Sequence, residues 1–118
     1  MKKTDTLKKN YEFKRILKKG KYLSGQYIEC FYMNNNLENK NLIGIAISSK
    51  IAKANKRNKI KRLIRENYKN IENNIKTGKN VVFLWKKTKS IENATYRNIE
   101  NDLKKIMNEM DMFIWVKY

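Results

Sequence analysis

Apolar residues recur along the chain in two patterns, one with the spacing of a helix face and one with the continuity of a buried strand. Helical spacing predicts three helices, over residues 10–20, 55–71 and from about 95 onward. Runs of branched and aromatic residues predict three strands, over residues 26–33, 42–48 and 80–85. The order α-β-β-α-β-α favours an α+β fold, a two-layer α/β sandwich with helices packed on a small sheet.

Polar residues mark the ends of these elements. Asn10 is expected to cap the first helix, and either Thr95 or Asn93 the last. Polar residues 34–41 join the first two strands, which predicts that these strands pair as an antiparallel hairpin. The C-terminal segment FIWVKY, residues 113–118, fits either a short edge strand or a flap on the core.

The chain length suits one domain over residues 1–118, with residues 1–6 as a flexible tail. The longest apolar run, Leu42 to Ile47, has six residues, against about 20 for a membrane-spanning helix. The basic N-terminus lacks the apolar stretch of a secretory signal. These features predict a cytoplasmic protein without a membrane partner.

The residue types that carry most protein catalysis are missing from the sequence. With no histidine and one cysteine, Cys30, neither a zinc site of the usual ligands nor a Cys-His or Ser-His nucleophile pair can be assembled. The acids are scattered, and only Glu100 with Asp102 and Glu109 with Asp111 are close couples. The sequence therefore predicts no catalytic residue and no metal site within the protein itself.

Positive charge dominates the composition, since 28 Lys and Arg against 11 Asp and Glu leave a net charge of +17. Such an excess repels itself unless a polyanion lies nearby. The basic residues are spread over predicted helices, loops and strand ends, whereas a lipid surface would favour a single amphipathic anchor. A nucleic acid is therefore the expected partner.

The second predicted helix concentrates this charge. Eight basic residues and no acid lie between Lys50 and Arg65, and this window holds three of the five arginines. Ile60, Leu63 and Ile64 form the apolar stripe of the same helix. A solvated helix face would normally mix charges of both signs, and arginine binds phosphate through two N–H groups at once. The pattern therefore favours nucleic-acid binding over solubility alone.

The run from Ala54 to Arg65, ANKRNKIKRLIR, closely resembles the signature region of the bacterial ribonuclease P protein subunit, approximately A-x-x-R-N-x-[IL]-[KR]-R-[LI]-[LI]-R. The upstream segment LKKNYEFKRILKKGKYL is similar to the first helix of that family. The segment LIGIAISSKIAKA is similar to the strand and lead-in that precede the signature. The resemblance extends over roughly residues 7 to 115.

The resemblance implies that the protein assists removal of the 5′ leader from precursor tRNA, while the catalytic RNA subunit and its Mg²⁺ ions carry out the chemistry. The implied partners are that RNA and precursor tRNA, and no obligate protein partner is predicted. The implied fold is ribosomal protein S5 domain 2-like with a left-handed βαβ crossover, although parallel connections are usually right-handed. The residues implied to contact the RNA subunit are Lys50, Lys53, Lys56, Arg57, Asn58, Lys59, Lys61, Arg62 and Arg65.

A second surface, a cleft between the first helix and the sheet, is implied to bind the single-stranded leader. Aromatic faces flanked by cations suit this role, because base stacking tolerates any sequence. Aromatic residues at these positions are also typical of a core, so both roles stay open for them. The implied leader contacts are Phe13, Leu17, Tyr27, Phe31 and Tyr32, with Lys86 and Lys87 at the rim.

Two other functions fit the size and charge of the chain. A ribosomal or ribosome-assembly protein would carry a similar basic helix and would copurify with ribosomal subunits instead of a small separate RNA. A DNA-binding repressor would place the basic helix in a major groove and would usually need a dimer, for which the sequence shows no apolar seam.

Overall fold

The computed structural model describes residues 3–114, which form a five-stranded sheet and three α-helices. The helices are α1 (Asn10–Lys19), α2 (Ala54–Ile71) and α3 (Tyr96–Glu109). The strands are β1 (Thr4–Thr6), β2 (Lys21–Ser24), β3 (Ile28–Asn34), β4 (Asn41–Ala46) and β5 (Lys79–Trp85). Short 3₁₀ turns follow α2 at Glu72–Asn74 and precede α3 at Ile91–Asn93. The α+β class and the order of the six predicted elements are confirmed.

β5 occupies the centre of the sheet, whose strand order is β1-β4-β5-β3-β2. It pairs in antiparallel fashion with β3 and in parallel with β4, so the predicted hairpin of β3 with β4 is wrong. The connecting residues 35–40 can span about 20 Å. This is long enough to cross β5, because strands on either side of a third strand lie roughly 10 Å apart. Val81, Val82 and Phe83 are all buried, which suits a strand covered on both faces.

The parallel strands β4 and β5 are joined through α2, so the βαβ unit that the resemblance implied is present. Its left-handed sense stays a prediction from the resemblance.

Helices cover both faces of the sheet, and neighbouring residues of β5 point towards opposite faces. Val81 and Phe83 belong to the larger core, which includes α2 and α3. Val82 instead packs with Ile16 of α1 and with Leu7 on the other face. The side of the sheet that α1 covers, here called the α1 face, is therefore separate from the face that supports the basic helix.

Strand β1 lies within the segment that was expected to be a flexible tail. Thr4–Thr6 pair in parallel with β4, and Lys3 Nζ donates a hydrogen bond to the carbonyl oxygen of Ile75 (3.2 Å). The hydroxyl of Thr4 hydrogen bonds to the hydroxyl of Tyr68 (2.7 Å), whose pKa is raised chiefly by burial. Polar contacts therefore hold β1 on the sheet edge, which is why hydrophobic patterning does not predict it.

Asp102 of α3 anchors the turn that leads into β3. Its carboxylate accepts three backbone N–H groups, from Gln26 (2.9 Å), Tyr27 (2.7 Å) and Ile28 (2.9 Å). The residue is 4% exposed, and a Cβ on Gly25 would lie 2.4 Å from the carboxylate carbon. One buried carboxylate thus joins α3 to the start of β3.

The predicted helix ends are partly correct. Asn10 is the first residue of α1, and the residue before it occupies the cap position without a side-chain hydrogen bond, so the predicted cap is wrong. Thr95, one of the two predicted alternatives, caps α3 by accepting a backbone N–H of the first turn (3.2 Å). Phe113 forms an isolated bridge with Ile75. Residues 115–118 of the C-terminal segment FIWVKY lie outside the described residues.

Candidate nucleic-acid interface

α2 places its apolar and basic residues on opposite sides, as its sequence predicts. Ile60, Ile64 and Tyr68 are buried in the core. Within residues 3–114, the only ion pair formed by an α2 side chain joins Arg62 to Glu66 over 3.9 Å, and both side chains are more than half exposed. The exposed members of the predicted RNA-subunit set are Lys50, Lys53, Lys56, Asn58, Lys59, Arg62 and Arg65.

Arg57 and Lys61 are half-buried and so differ from the rest of this set. Nη1 of Arg57 donates a hydrogen bond to the carbonyl oxygen of Ala52 (2.8 Å), which ties the lead-in segment to the first turn of α2. Ser48 orders the same segment, because its hydroxyl accepts the backbone N–H of Lys50 (3.2 Å). Arg57 therefore has a structural role that the motif alone does not reveal.

The loop after β5 extends the basic surface. Lys87 and Lys89 line a cleft of about 360 Å³ together with Lys50. Lys86 follows β5 directly, and its backbone N–H donates to the carbonyl oxygen of Tyr27 (2.8 Å). Because β4 and β5 are parallel, the segments after both strands meet at one edge of the sheet. Lys87, predicted at the rim of the leader cleft, therefore lies beside a member of the RNA-subunit set.

Phe13 and Phe31 come together on the α1 face. The ring of Phe13 lies over Gly44, where a Cβ would approach the ring to 2.5 Å, so a residue without a side chain allows this contact. Phe31 packs in the same cluster from β3, opposite Val82 of β5. Leu17, one helical turn after Phe13, is 37% exposed. These three predicted leader contacts are thus compatible with one surface.

Tyr27 and Tyr32 lie apart from that surface, contrary to the prediction that groups them with Phe13. The ring of Tyr27 stacks on Trp85, with 5.6 Å between centroids, and packs against the core that includes α2 and α3. Tyr32 packs against the same core. The reason is strand alternation, which directs Tyr32 to the opposite face from Phe31.

Tyr22 on β2 is an aromatic residue of the α1 face that the sequence reasoning missed. It is 50% exposed, and its ring meets that of Phe31 edge-on, with 5.1 Å between centroids. Its hydroxyl donates to Oε2 of Glu29 (2.7 Å), and this hydrogen bond is the main cause of the raised pKa of Tyr22. The four residues of β2, KYLS, do not alternate strictly between apolar and polar, so periodicity gives no clear strand signal for Tyr22.

The described residues offer no protein-only metal site or reactive thiol. Among residues 3–114, no three His, Cys, Asp or Glu side chains lie close enough together to hold a metal ion. Burial raises the pKa of the Cys30 thiol to about 12, which disfavours the nucleophilic thiolate. In the same part of the chain, no helix has the length and apolar character needed to cross a bilayer.

A cationic helix face, a basic sheet edge and a partly exposed aromatic surface together are typical of an RNA-binding α+β protein. A family model described as Ribonuclease P matches residues 1–111. The Ribonuclease P protein component of Clostridioides difficile (strain 630) is 34% identical over 112 residues, which cover 94% of this chain and 96% of the relative. That of Thermoanaerobacter sp. (strain X514) is 38% identical over 78 residues, 66% of each chain.

Solved structures give the same result. The RNase P protein of Staphylococcus aureus superposes with a TM-score of 0.79 at 31% identity, covering 92% of this chain and 97% of the other. The RNase P protein from Thermotoga maritima also gives 0.79, at 25% identity, with 89% and 96% covered. The chain belongs to the ribonuclease P protein family.

Proposed function

We propose that the protein is the non-catalytic protein subunit of ribonuclease P. It binds the catalytic RNA subunit and the 5′ leader of precursor tRNA, and so assists endonucleolytic 5′ maturation of tRNA in the cytoplasm. Family membership supports participation in an endoribonuclease complex. The observation that carries the finer proposal is the cationic face of α2, together with the lysines of the segment before α2 and of the loop after β5.

Contact with the RNA subunit is assigned to α2 because its charge is both concentrated and held rigidly. The apolar stripe of the helix is buried, which fixes the direction of the basic side chains opposite to it. The first turn contains no acid, so the positive end of the helix dipole adds to the charge of the side chains. A folded RNA presents phosphates at fixed spacings, and a rigid surface binds them without an added ordering cost.

Chemistry is assigned to the RNA. The RNA subunit, and not this chain, would hold the Mg²⁺ ions, which would supply water activation and charge stabilisation at the phosphodiester. The residues of this chain bind and orient: Arg62 and Arg65 hold phosphates of the catalytic RNA, and Arg57 keeps the lead-in segment against α2.

The leader is assigned to the α1 face. Phe13, Leu17 and Phe31 offer partly exposed apolar and aromatic surface there, which suits unpaired bases. Lys86 and Lys87 follow the central strand and are assigned to the rim of the leader surface, although Lys87 also lines the cleft that contains Lys50. Tyr27 and Tyr32 pack on the other face and are not included in the proposed leader contacts.

RNA-subunit binding is tested by adding the protein to its RNA subunit at low Mg²⁺ and measuring how far cleavage of precursor tRNA is restored, here called rescue. The double variant Arg62→Ala, Arg65→Ala is expected to reduce rescue at least about tenfold, because it removes two charge-assisted hydrogen-bonding groups. The matched control, Lys76→Ala with Lys104→Ala, removes the same charge from other exposed sites that carry ion pairs. Equal rescue by the two double variants would contradict the proposal.

The leader assignment has its own test in Phe13→Ala. We expect weaker binding of precursor tRNA with a leader but unchanged binding of mature tRNA, since only the former places bases on the α1 face. The control is Tyr11→Ala on the same helix, whose ring is 65% exposed and lies near Lys9. Equal loss of affinity for both tRNA forms would show that the Phe13 ring is structural.

A further inference from the structure

Tyr22 and Glu29 form a fixed pair on the α1 face, next to the proposed leader surface. Tyr22 lies opposite Phe31 in the β2–β3 register, and Glu29 lies opposite Leu84 in the β3–β5 register. Phe31 and Leu84 both pack against the apolar cluster beneath α1. The pair is therefore continuous with the surface that carries Phe13 and Phe31.

The chemistry of this pair suits a base better than a phosphate. A half-exposed ring held edge-on against Phe31 presents a flat face on which a base can stack. The carboxylate beside it repels phosphate but accepts hydrogen bonds, as from the exocyclic amino group of cytosine. The hydroxyl of Tyr22 occupies Oε2 of Glu29 at 2.7 Å and so restrains the carboxylate next to the ring.

We propose that Tyr22 and Glu29 form a subsite for one unpaired base of the bound RNA leader, with a preference for a base that carries an exocyclic amino group. Tyr22 supplies the stacking face, and Glu29 accepts a hydrogen bond from the amino group. Uracil presents a carbonyl oxygen at the corresponding position, which the carboxylate repels. This inference rests on the proposed leader-binding role and adds a base preference to it.

The test compares all-cytosine and all-uracil leaders of equal length on one precursor tRNA, bound to the holoenzyme reconstituted with its RNA subunit. These pyrimidines have similar stacking areas and differ in the group at C4, so their affinity ratio isolates the hydrogen bond. The unaltered protein is expected to bind the cytosine leader about fivefold more tightly. In Glu29→Gln the ratio is expected to fall to about one, because an amide can both donate and accept.

Two further variants separate stacking from base preference. Tyr22→Leu should weaken both leaders, whereas Tyr11→Leu, at an exposed tyrosine of α1, should change neither. An equal affinity for the two leaders, or a ratio that persists in Glu29→Gln, would overturn the subsite while leaving the leader role intact. If precursor and mature tRNA bind equally well to the unaltered holoenzyme, the proposed leader role fails as well.

Discussion

Asp102→Ala should be among the most destabilising single changes in the chain, because one side chain satisfies three backbone donors. The carboxylate accepts the N–H groups of Gln26, Tyr27 and Ile28 at 2.7 to 2.9 Å and is 4% exposed. A buried donor left without a partner costs about 1–3 kcal/mol. Water reaching the exposed Gln26 lowers the sum, so we expect the free energy of unfolding to fall by about 3–5 kcal/mol.

Urea denaturation followed by tryptophan fluorescence measures this loss, since Trp85 is buried and stacks on Tyr27, one of the three anchored residues. Asp102→Asn should lie between the unaltered protein and Asp102→Ala, because an amide oxygen replaces only part of the acceptor capacity. The matched control is Glu100→Gln on α3, which removes only an exposed ion pair with Lys104. A loss for Asp102→Ala within about 1 kcal/mol of this control would refute the anchoring role.

Three further predictions follow from single interactions. Gly44→Ala should displace the ring of Phe13, lowering stability by about 1–3 kcal/mol in urea denaturation and weakening leader-dependent binding. Unchanged stability would contradict the contact, and unchanged leader binding would contradict the leader role of Phe13. Tyr68→Phe removes the hydroxyl bonded to Thr4 and should cost about 1–2 kcal/mol, with faster hydrogen exchange in β1; unchanged exchange would contradict it. Because burial raises the pKa of Cys30 to about 12 from 9.0, an unfolded chain loses this proton first, so stability falls as pH rises from about 9 towards 12. Cys30→Ala should show a shallower fall, and an unchanged slope would contradict this.

The sequence predicts the helices and the buried strands because each carries a strong apolar pattern. α2 was expected over 55–71 and begins only one residue earlier. Strand pairing was not predictable in the same way, since the placement of β5 between β3 and β4 depends on contacts distant in sequence. β1 escaped detection because its main side-chain contact is the hydrogen bond between Thr4 and Tyr68.

The candidate site could likewise be predicted only in part from the sequence. The basic face of α2 follows from helical spacing and a sequence motif, so its residues could be named in advance. The proposed leader surface depends on which sheet face each aromatic residue occupies, and the sequence did not separate Phe31 from Tyr32. Tyr22 and Glu29 meet only through the pairing of β2 with β3, and the short strand β2 was not predicted.

The most direct test of the cationic-face account is the salt dependence of binding between the purified protein and the catalytic RNA subunit. A plot of log affinity against log salt has a slope set by the number of phosphates that the protein neutralises. Arg62→Ala with Arg65→Ala should make the slope shallower by about one for each phosphate that is no longer neutralised, while Lys76→Ala with Lys104→Ala leaves it nearly unchanged. Equal slopes for both double variants, or binding insensitive to salt, would contradict the assignment of RNA binding to this face of α2.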